Sequence, residues 1–262
     1  KHIAMFIPDE PRQLILTKLT CMYHNIDARE LERLVAMDDH DAIDLLRQTA
    51  EENFPNLAVF DQPLTALDME RAYNEVCDVW GQIPDLVVVD YLDLVEAGET
   101  VPDKATFVKS FGRRHDIPML VLHQTSRSSG ADGMKLTMSS GAFGGEQQAT
   151  HIVGVRRKRF EIEGHIRELQ EKLDKASNAE RIMSKIEELQ YNLRIHMDTV
   201  TLNLVKCKRP ASVLLDDMDF LIEAGTGRLK RLENGVLPYR LEENIVQPEV
   251  EQLSMQEILT DW

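Results

Sequence analysis

The chain has 262 residues, 43% of them hydrophobic, and a formal net charge of −15 at pH 7. Its length suits one large domain or a domain with appendages. Its negative charge argues against a protein that coats nucleic acid through general electrostatic attraction, although it is compatible with a local basic site. The three cysteines lie far apart, which predicts neither disulfides nor a metal cluster, and no apolar run reaches the roughly 18 residues of a membrane span. We therefore expect a cytoplasmic protein without a membrane partner.

The first residues predict a strand and then a series of helices. The chain starts with Lys1 rather than Met and runs at once into the apolar stretch Ile3–Ile7, so we expect a strand here and a longer parent sequence. A helical apolar pattern follows, and Asp27 with Glu30 three residues later is typical of a capped helix start. Further elements predicted in this part are a helix over 41–52, a strand over 57–60 and a helix over 67–80.

The stretch Leu86–Val89 is an unbroken apolar run, mostly β-branched, that ends abruptly in Asp90. Such a run suits a strand buried on both faces of a parallel sheet. A carboxylate at the carboxyl end of that strand lies where open α/β sheets bind ligands, and nucleotide hydrolysis needs an acid there to hold Mg²⁺ beside the phosphates. The alternative is that Asp90 only caps the next segment.

A helix over 106–115 and a second buried strand, Pro118–Leu122, follow the central strand. Alternation of strands and helices predicts an α/β fold with a doubly wound, mostly parallel sheet. The next stretch, Ser126–Gly145, is rich in Ser and Gly and predicts a mobile loop.

Two matched apolar ladders follow a strand over 151–155. Each steps by four, three and four residues, and the polar turn Asp174–Asn178 separates them, which predicts an antiparallel helical hairpin. The ladders are Ile162, Ile166, Leu169, Leu173 and Ile182, Ile186, Leu189, Leu193. We predict a core over 1–159, the hairpin insertion over 160–197 and closing core strands over 198–240, with a strand at 199–205 and a candidate strand at 213–215. An acidic flexible or partner-docking tail is predicted over 241–262.

Several stretches, in this order, resemble the RecA-like ATPase core of the replicative hexameric helicases of the DnaB family. Val87–Leu94 resembles the Walker B segment, an apolar strand ending Asp-Tyr-Leu-Gln-Leu. Ile117–Arg127 resembles the family's Val-Pro-Val-Val-Ala-Leu-Ser-Gln-Leu-Asn-Arg, and Glu146–Thr150 resembles its Glu-Gln-Asp-Ala-Asp. Lys206–Arg209 lies where the family has Lys-Gln-Arg-Asn. Two earlier stretches, 25–27 and 57–67, fall at matching intervals, so the resemblance covers about 1–157 and 199–232.

This resemblance implies an ATP-hydrolysing DNA helicase motor with ATP and Mg²⁺ as cofactors. It implies single-stranded DNA as a partner and a homo-oligomeric ring, a hexamer in the family, with nucleotide at the subunit interfaces. A loader or primase would bind through the hairpin or the acidic tail. The divergence from the family's residues favours a phage-encoded protein in a bacterial or phage-infected cell.

The resemblance also assigns roles at the nucleotide. Asp90 would hold Mg²⁺ through its water shell, and Gln124 would sense the γ-phosphate. The family's catalytic glutamate corresponds to Asp9 by direct alignment and to Glu10 by chemistry, and either acid could polarise the attacking water. Pro11 follows them as a proline follows in the family.

Basic fingers from a neighbouring subunit are implied at the matched positions Lys206 and Lys208, where they would neutralise charge on the transferred phosphoryl group. The second finger is usually Arg, so either Lys208 or the adjacent Arg209 would act here. Lysine is a point charge without the bidentate fork of arginine.

The Ser- and Gly-rich loop corresponds to the pore loop that follows single-stranded DNA. The candidate contacts are Arg127, Lys135, Ser140, Gly141 and Gly144. Backbone N–H groups in such a loop bind phosphates without reading bases, and the family has Arg and Glu where this chain has Ser140 and Gly141. A merely disordered loop is the alternative.

Two departures from the family matter. The sequence contains no Gly-x-x-x-x-Gly-Lys-Ser/Thr, the phosphate-binding loop that in the family lies upstream of the strand beginning here at Ile3. Without such a segment the chain could not hydrolyse ATP alone. The hairpin is longer than the family's connection, and it binds a partner, helps a neighbouring subunit to dock or forms a structural stalk. A RecA- or RadA-like recombination ATPase and a non-hydrolysing ring or loader component are the alternative functions.

Overall fold

The computed structural model describes residues 1–124, 145–173, 179–208 and 217–232. These residues form two compact units. The first contains 1–124, 145–149 and 225–227, and the second contains 150–173, 179–208, 217–224 and 228–232. Within the described parts of the chain, no helix has the length and apolar character needed to cross a membrane.

The first unit is built from short strands and amphipathic helices. Its strands are β1 (Ile3–Phe6), β2 (Leu57–Phe60), β3 (Leu64–Thr65), β4 (Leu86–Val89), β5 (Val95–Glu96) and β6 (Met119–Val121). Its helices are α1 (Arg12–His24), α2 (Ala28–Ala36), α3 (His40–Gln48), α4 (Ala66–Trp80) and α5 (Val101–His115). The predicted strands at 3–7, 57–60 and 86–89 are confirmed to within a residue.

Four of these strands make one parallel sheet in the order β2-β1-β4-β6. Phe6 pairs with Val89, and Val89 pairs with Val121, so the carboxyl ends of three neighbouring strands reach the same edge. The fold class predicted from the alternation of strands and helices is confirmed. Strands β3 and β5 form a separate short parallel pair.

One face of the sheet carries the main hydrophobic core. The registers place Ala4 beside Val87 and Phe6 beside Val89, so these four side chains share a face. They pack with buried residues of α4 and α5, namely Met69, Tyr73, Val108 and Phe111. Burial of each large apolar side chain contributes about 1.5–3 kcal/mol, which fixes β4 firmly between β1 and β6.

The prediction that Pro118–Leu122 is a buried strand is wrong. Leu120 is 53% exposed and Leu122 is 41% exposed, whereas Val87 and Val89 in β4 are completely buried. The reason is position, because among the described strands β6 pairs with β4 alone and is therefore an edge strand. Its sequence is as apolar as that of β4, so composition did not distinguish the edge from the centre.

Local hydrogen bonds explain where the helices begin. The Asp27 carboxylate accepts hydrogen bonds from the backbone N–H groups of Arg29 and Glu30, which confirms the predicted cap of α2. Helix α5 begins five residues before its predicted start at 106, because Thr100 and Asp103 form a reciprocal capping box. The helix predicted over 41–52 runs over α3 and continues as a π-turn over Thr49–Asn53.

The second unit combines an antiparallel sheet with a pair of helices. Its strands are β7 (His151–Arg157), β8 (Thr199–Cys207), β9 (Met218–Ile222) and β10 (Leu229–Arg231), in the order β10-β9-β8-β7. Its helices are α6 (Lys158–Leu173) and α7 (Ala179–Ile195). They pack along the predicted seam, with Ile162, Ile166 and Ile186 buried. The strand predicted at 213–215 and the tail at 241–262 lie outside the described residues, and the predicted domain boundaries stay a prediction.

Ion pairs tie the first residues of the hairpin to the sheet. Arg156, only 10% exposed, donates to Glu161 at 3.0 Å and to Asp217 at 2.6 Å. Lys158 donates to Asp219 at 2.7 Å. We call these five residues, together with Thr201 and His196, the hairpin root. Asp219 also accepts a hydrogen bond from the Thr201 hydroxyl at 2.5 Å. Every carboxylate of the hairpin root thus has a cationic partner.

Candidate active site

The carboxyl edge of the parallel sheet brings Asp90 next to the turn that follows β1. The backbone N–H of Asp90 donates to the Phe6 carbonyl at 2.9 Å, and the N–H of Ile7 donates to the Phe60 carbonyl at 2.8 Å. These bonds continue the sheet by one residue and hold both strand ends in place. The turn residues Asp9 and Glu10 therefore start directly beside Asp90, because β1 and β4 are neighbouring parallel strands.

The two neighbouring acids affect the pKa of Asp90. Burial raises the pKa of its carboxyl group, and the charges of Glu10 and then Asp9 raise this pKa further, while Lys18 lowers it. Asp9, Glu10 and Asp90 are thus close enough at one sheet edge for their charges to interact. This repulsion and burial make the ionised form of Asp90 less favourable than it is in water. Such like-charge groups with perturbed pKa values cluster at functional sites.

Lys18 is the cation that faces this acid cluster. Its ammonium nitrogen donates to both oxygens of Glu10, at 2.7 and 2.6 Å. Lys18 lies on α1, and the first backbone N–H of that helix, from Arg12, donates to the Asp61 carboxylate after β2 at 3.0 Å. The sequence did not identify Lys18 as part of the site, since a lysine eight residues after Glu10 on an amphipathic helix looks like an ordinary surface residue.

The other side of Asp90 is formed by the chain after β6. The Leu122 N–H donates to the Val89 carbonyl at 2.9 Å, and the Leu92 N–H donates back to the Leu122 carbonyl at 2.9 Å. Just beyond, His123 Nδ1 lies 3.2 Å from an Asp93 carboxylate oxygen. Gln124 follows as an exposed residue at the same edge of the sheet. The structure therefore brings Asp9, Glu10, Asp90 and Gln124 to one edge.

The residue types at this edge fit the Mg²⁺ that the sequence predicted. No set of three His, Cys, Asp or Glu side chains in the described chain is arranged to hold a metal ion by itself. Mg²⁺ needs no such set, because it commonly binds one or two carboxylates and completes its shell with water and substrate phosphates. A partly buried carboxylate whose ionisation is opposed by two neighbouring acids is a group that a divalent cation would stabilise.

The predicted finger lysines belong to the second unit and lie at the end of β8. This strand carries an extra residue just before Lys206. Ile152 pairs with Lys206, whereas Val153 pairs with Leu204, so Val205 has no partner on β7. One extra residue in an antiparallel strand is a β-bulge, and bulges redirect side chains.

The bulge decides which face of the sheet Lys206 occupies. Paired residues share a face, and Asn203 pairs with Gly154, two residues from Ile152. Lys206 therefore lies on the face of Asn203, whereas regular alternation would have put it on the face of Leu204. Two residues further along, the N–H of Lys208 donates to the Thr150 carbonyl at 3.1 Å, which extends the pairing of β8 with β7 past Cys207.

The remaining predicted site residues lie outside the described residues. They are the finger candidate Arg209 and the candidate DNA contacts Arg127, Lys135, Ser140, Gly141 and Gly144. Their roles, and the mobility expected for the loop that contains most of them, stay predictions.

Comparison with solved structures agrees with the arrangement of strands and helices. A DnaB-like replicative helicase, whose interactions with primase were studied with its structure, superposes with a TM-score of 0.60 at 15% identity, over 87% of this chain and 50% of that one. A second structure, the ATPase domain of another helicase, superposes with a TM-score of 0.60 at 15% identity, over 89% of this chain and 75% of that one. The chain shares the fold of these two helicase structures.

The chain spans about half the length of the DnaB-like helicase that it matches. No known family profile matches its sequence, and no curated protein is significantly similar to it in sequence. The similarity is therefore one of fold, because only 15% of the residues are identical. The resemblance in the Walker B segment and in the following strand pointed to the same core.

Proposed function

We propose that this chain is the motor core of a DnaB-type helicase, which hydrolyses ATP and translocates on single-stranded DNA as a ring of identical subunits. The observation that carries the proposal is Asp90, a partly buried acid at the carboxyl end of the central strand, whose pKa is raised by burial and by Glu10 and Asp9. The DnaB-type fold supports it, since in open α/β sheets ligands bind at this edge.

In this proposal Asp90 holds Mg²⁺ through its water shell. Bound Mg²⁺ would neutralise charge that develops on the phosphates during transfer. Glu10 is assigned as the general base that orients and deprotonates the attacking water, because its charge affects Asp90 more strongly than that of Asp9 does. Gln124, exposed at the same edge, would contact the γ-phosphate and pass its state to the loop that follows.

The finger lysines complete the proposed site from a second subunit. Lys206 and Lys208 lie at the end of β8, in a unit other than the one that holds Asp90. Fingers provided by a neighbour make hydrolysis depend on assembly, which is how a ring would couple turnover in one subunit to the next. A cytoplasmic location, in a bacterial or phage-infected cell, goes with this activity.

The hairpin of α6 and α7 is assigned as the docking element for a loader or primase. Met183 and Tyr191 on α7 are 52% and 45% exposed, although large apolar side chains favour burial. Charged replacements, Met183→Asp and Tyr191→Asp, should weaken co-purification of primase or loader with the ring and leave ATP hydrolysis unchanged. Undiminished co-purification would leave the hairpin as a structural stalk.

The decisive experiment measures ATP hydrolysis with and without single-stranded DNA. The protein is assayed in a longer form that includes a phosphate-binding segment. Its hydrolysis should be stimulated by the DNA, Asp90→Ala should abolish turnover, and Glu10→Gln should reduce kcat by about 10²–10⁴-fold, more than Asp9→Asn. Retained turnover in Asp90→Ala would refute the assignment of Asp90. Absence of hydrolysis in that longer form, with its phosphate-binding segment present, would favour a ring or loader component instead.

Two further assays test the oligomer and the reaction. Mixing Lys208→Ala subunits with unaltered ones should suppress hydrolysis beyond simple dilution if the fingers act on a neighbour's nucleotide, and strictly proportional loss would argue against it. Unwinding of a forked duplex distinguishes a helicase from a recombination ATPase, which would hydrolyse ATP on single-stranded DNA without separating the strands.

A further inference from the structure

One ammonium group, that of Lys18, acts on two carboxylates at the carboxyl edge of the parallel sheet. Lys18 reaches both oxygens of Glu10, at 2.7 and 2.6 Å, so the strongest acceptor directions of that carboxylate are engaged. Its positive charge also lowers the pKa of Asp90, so its field extends beyond Glu10 to the second acid. Lys18 thus compensates part of the negative charge of the whole cluster.

The helix that carries Lys18 is fixed, but the side chain is free to move. Leu19, Thr20 and Cys21 follow directly on α1 and are buried, which anchors the backbone. The Lys18 side chain itself is 48% exposed, and a lysine stem has four rotatable carbons. Lys18 can therefore leave Glu10 by changing rotamer, without any change in the backbone of the site.

We propose that Lys18 is a built-in counterion of the acid cluster, which pairs with Glu10 when no divalent cation is bound and is displaced when one binds. The proposal rests on the function proposed above, in which Asp90 holds Mg²⁺ and Glu10 activates water. A carboxylate whose two oxygens both bind an ammonium group is a poor acceptor for a proton from water. Displacement of Lys18 by the arriving cation frees Glu10 only when the site is loaded, which prevents idle deprotonation.

Charge arithmetic gives the expected size of the competition. Removing one unit charge about 6 Å from a divalent ion in a water-like dielectric strengthens binding of that ion roughly tenfold. The effect belongs to the charge of residue 18 rather than to its shape. Lys18→Met should therefore bind a divalent cation more tightly, whereas Lys18→Arg should bind it as the unaltered protein does.

The test uses Mn²⁺ as the probe, with free and bound ion distinguished by electron paramagnetic resonance. Lys18→Met should lower the Mn²⁺ dissociation constant roughly tenfold, and the Asp90→Asn change should raise it. Lys185→Met is the matched control, because Lys185 forms an ion pair of 2.7 Å with Glu188 on α7, in the other unit. This control removes the same charge and should leave the dissociation constant unchanged.

A second readout reports displacement directly. Mass spectrometry after brief acetylation measures how reactive each lysine is, and Lys18 should become more reactive when Mg²⁺ is added, while Lys185 should not. Unchanged Mn²⁺ affinity in Lys18→Met, or Lys18 reactivity that Mg²⁺ does not alter, would overturn the counterion proposal. Neither readout requires hydrolysis, so these results stand apart from the ATPase assays that decide the proposed function.

Discussion

Two charged clusters in this protein shift the pKa of a partly buried carboxyl group in opposite directions. In the hairpin root, Asp219 is only 13% exposed, and burial alone would raise its pKa. Hydrogen bonds from Lys158 and Thr201, with the charge of Lys158, outweigh burial and lower that pKa. At the sheet edge, burial and the charges of Glu10 and Asp9 raise the pKa of Asp90.

The difference separates a cluster that stabilises the fold from the cluster proposed to bind Mg²⁺. Each acid in the hairpin root has a cation, so its charges help to fix the helices on the sheet. At the sheet edge, two acids, Glu10 and Asp9, oppose the ionisation of Asp90 and only Lys18 favours it, an arrangement that opposes folding and that packing does not require. A partly buried carboxylate whose ionisation is opposed by neighbouring acids is typical of a site that binds a cation or a substrate.

The largest effect in this comparison is expected from Asp219→Asn in the hairpin root. It removes the charge that pairs with Lys158 and retains an oxygen for the Thr201 hydroxyl, so the partly buried ammonium of Lys158 loses its counterion. We expect a loss of about 2 kcal/mol in the free energy of unfolding of the second unit, below the value for fully buried pairs because Lys158 is partly exposed. Hydrogen exchange of β8 and β9 peptides measures it.

The matching change at the sheet edge should have the opposite sign. Asp90→Asn removes a carboxylate whose ionisation costs free energy in the folded protein, so it should stabilise the first unit by about 1 kcal/mol, a rise of roughly 2–4 °C in Tm, while abolishing ATP hydrolysis. Thermal unfolding followed by circular dichroism measures the shift.

Asp85 is the control for Asp90, since it precedes the same strand at the opposite edge. The backbone N–H of His2 donates to Asp85 at 2.7 Å, and this bond lowers the pKa of Asp85. Asp85→Asn should therefore not stabilise the protein. Equal stabilisation by both changes would mean that net charge alone, rather than the arrangement at Asp90, is responsible.

A smaller effect is expected from acidification at the hairpin root. Burial, and then the charge of Lys158, lower the pKa of His196 below its ordinary value near 6.5. The unfolded chain then binds a proton at a pH at which the folded protein does not, so the stabilising contribution is complete above about pH 6.5 and is lost as the pH falls below it. The Tm of the unaltered protein should fall between pH 7 and pH 5.

His196→Gln tests this assignment, because it removes the titrating group. The slope of Tm against pH in that window should become shallower in the variant. Asp219 contributes a separate loss at lower pH, since its pKa is lowered and its stabilisation disappears as the pH falls through that value. An unchanged slope between pH 7 and pH 5 in His196→Gln would assign the pH dependence to other groups.

The smallest effect is expected on the exposed face of the hairpin. Glu188 pairs with Lys185 at 2.7 Å, the same distance as Asp219 to Lys158, but both side chains are more than half exposed. Water screens such a pair, so Glu188→Gln should change the free energy of unfolding by less than about 0.5 kcal/mol. A loss as large as that of Asp219→Asn would show that burial does not set the strength of these ion pairs.

Much of the first unit could be predicted because its signals are local. The apolar run Leu86–Val89 and the cap at Asp27 depend on neighbouring residues, and both are present in the structure. The early start of α5 was missed because the Thr100 capping box follows a polar stretch without apolar periodicity. Lys18 was missed because its contact with Glu10 depends on where α1 lies against the turn, which no spacing rule reports.

The sequence by itself determined which segments form strands and helices and where an acid follows a strand, because periodicity and capping act over a few neighbouring residues. It also determined the apolar seam between α6 and α7. Only the tertiary structure decided that β6 lies at an edge, that Lys18 pairs with Glu10, and that the bulge at Val205 turns Lys206 to the other face of its sheet. These outcomes depend on pairing between segments that are distant in the sequence. The free energy of that pairing depends on both partners, so no single stretch of the chain determines it.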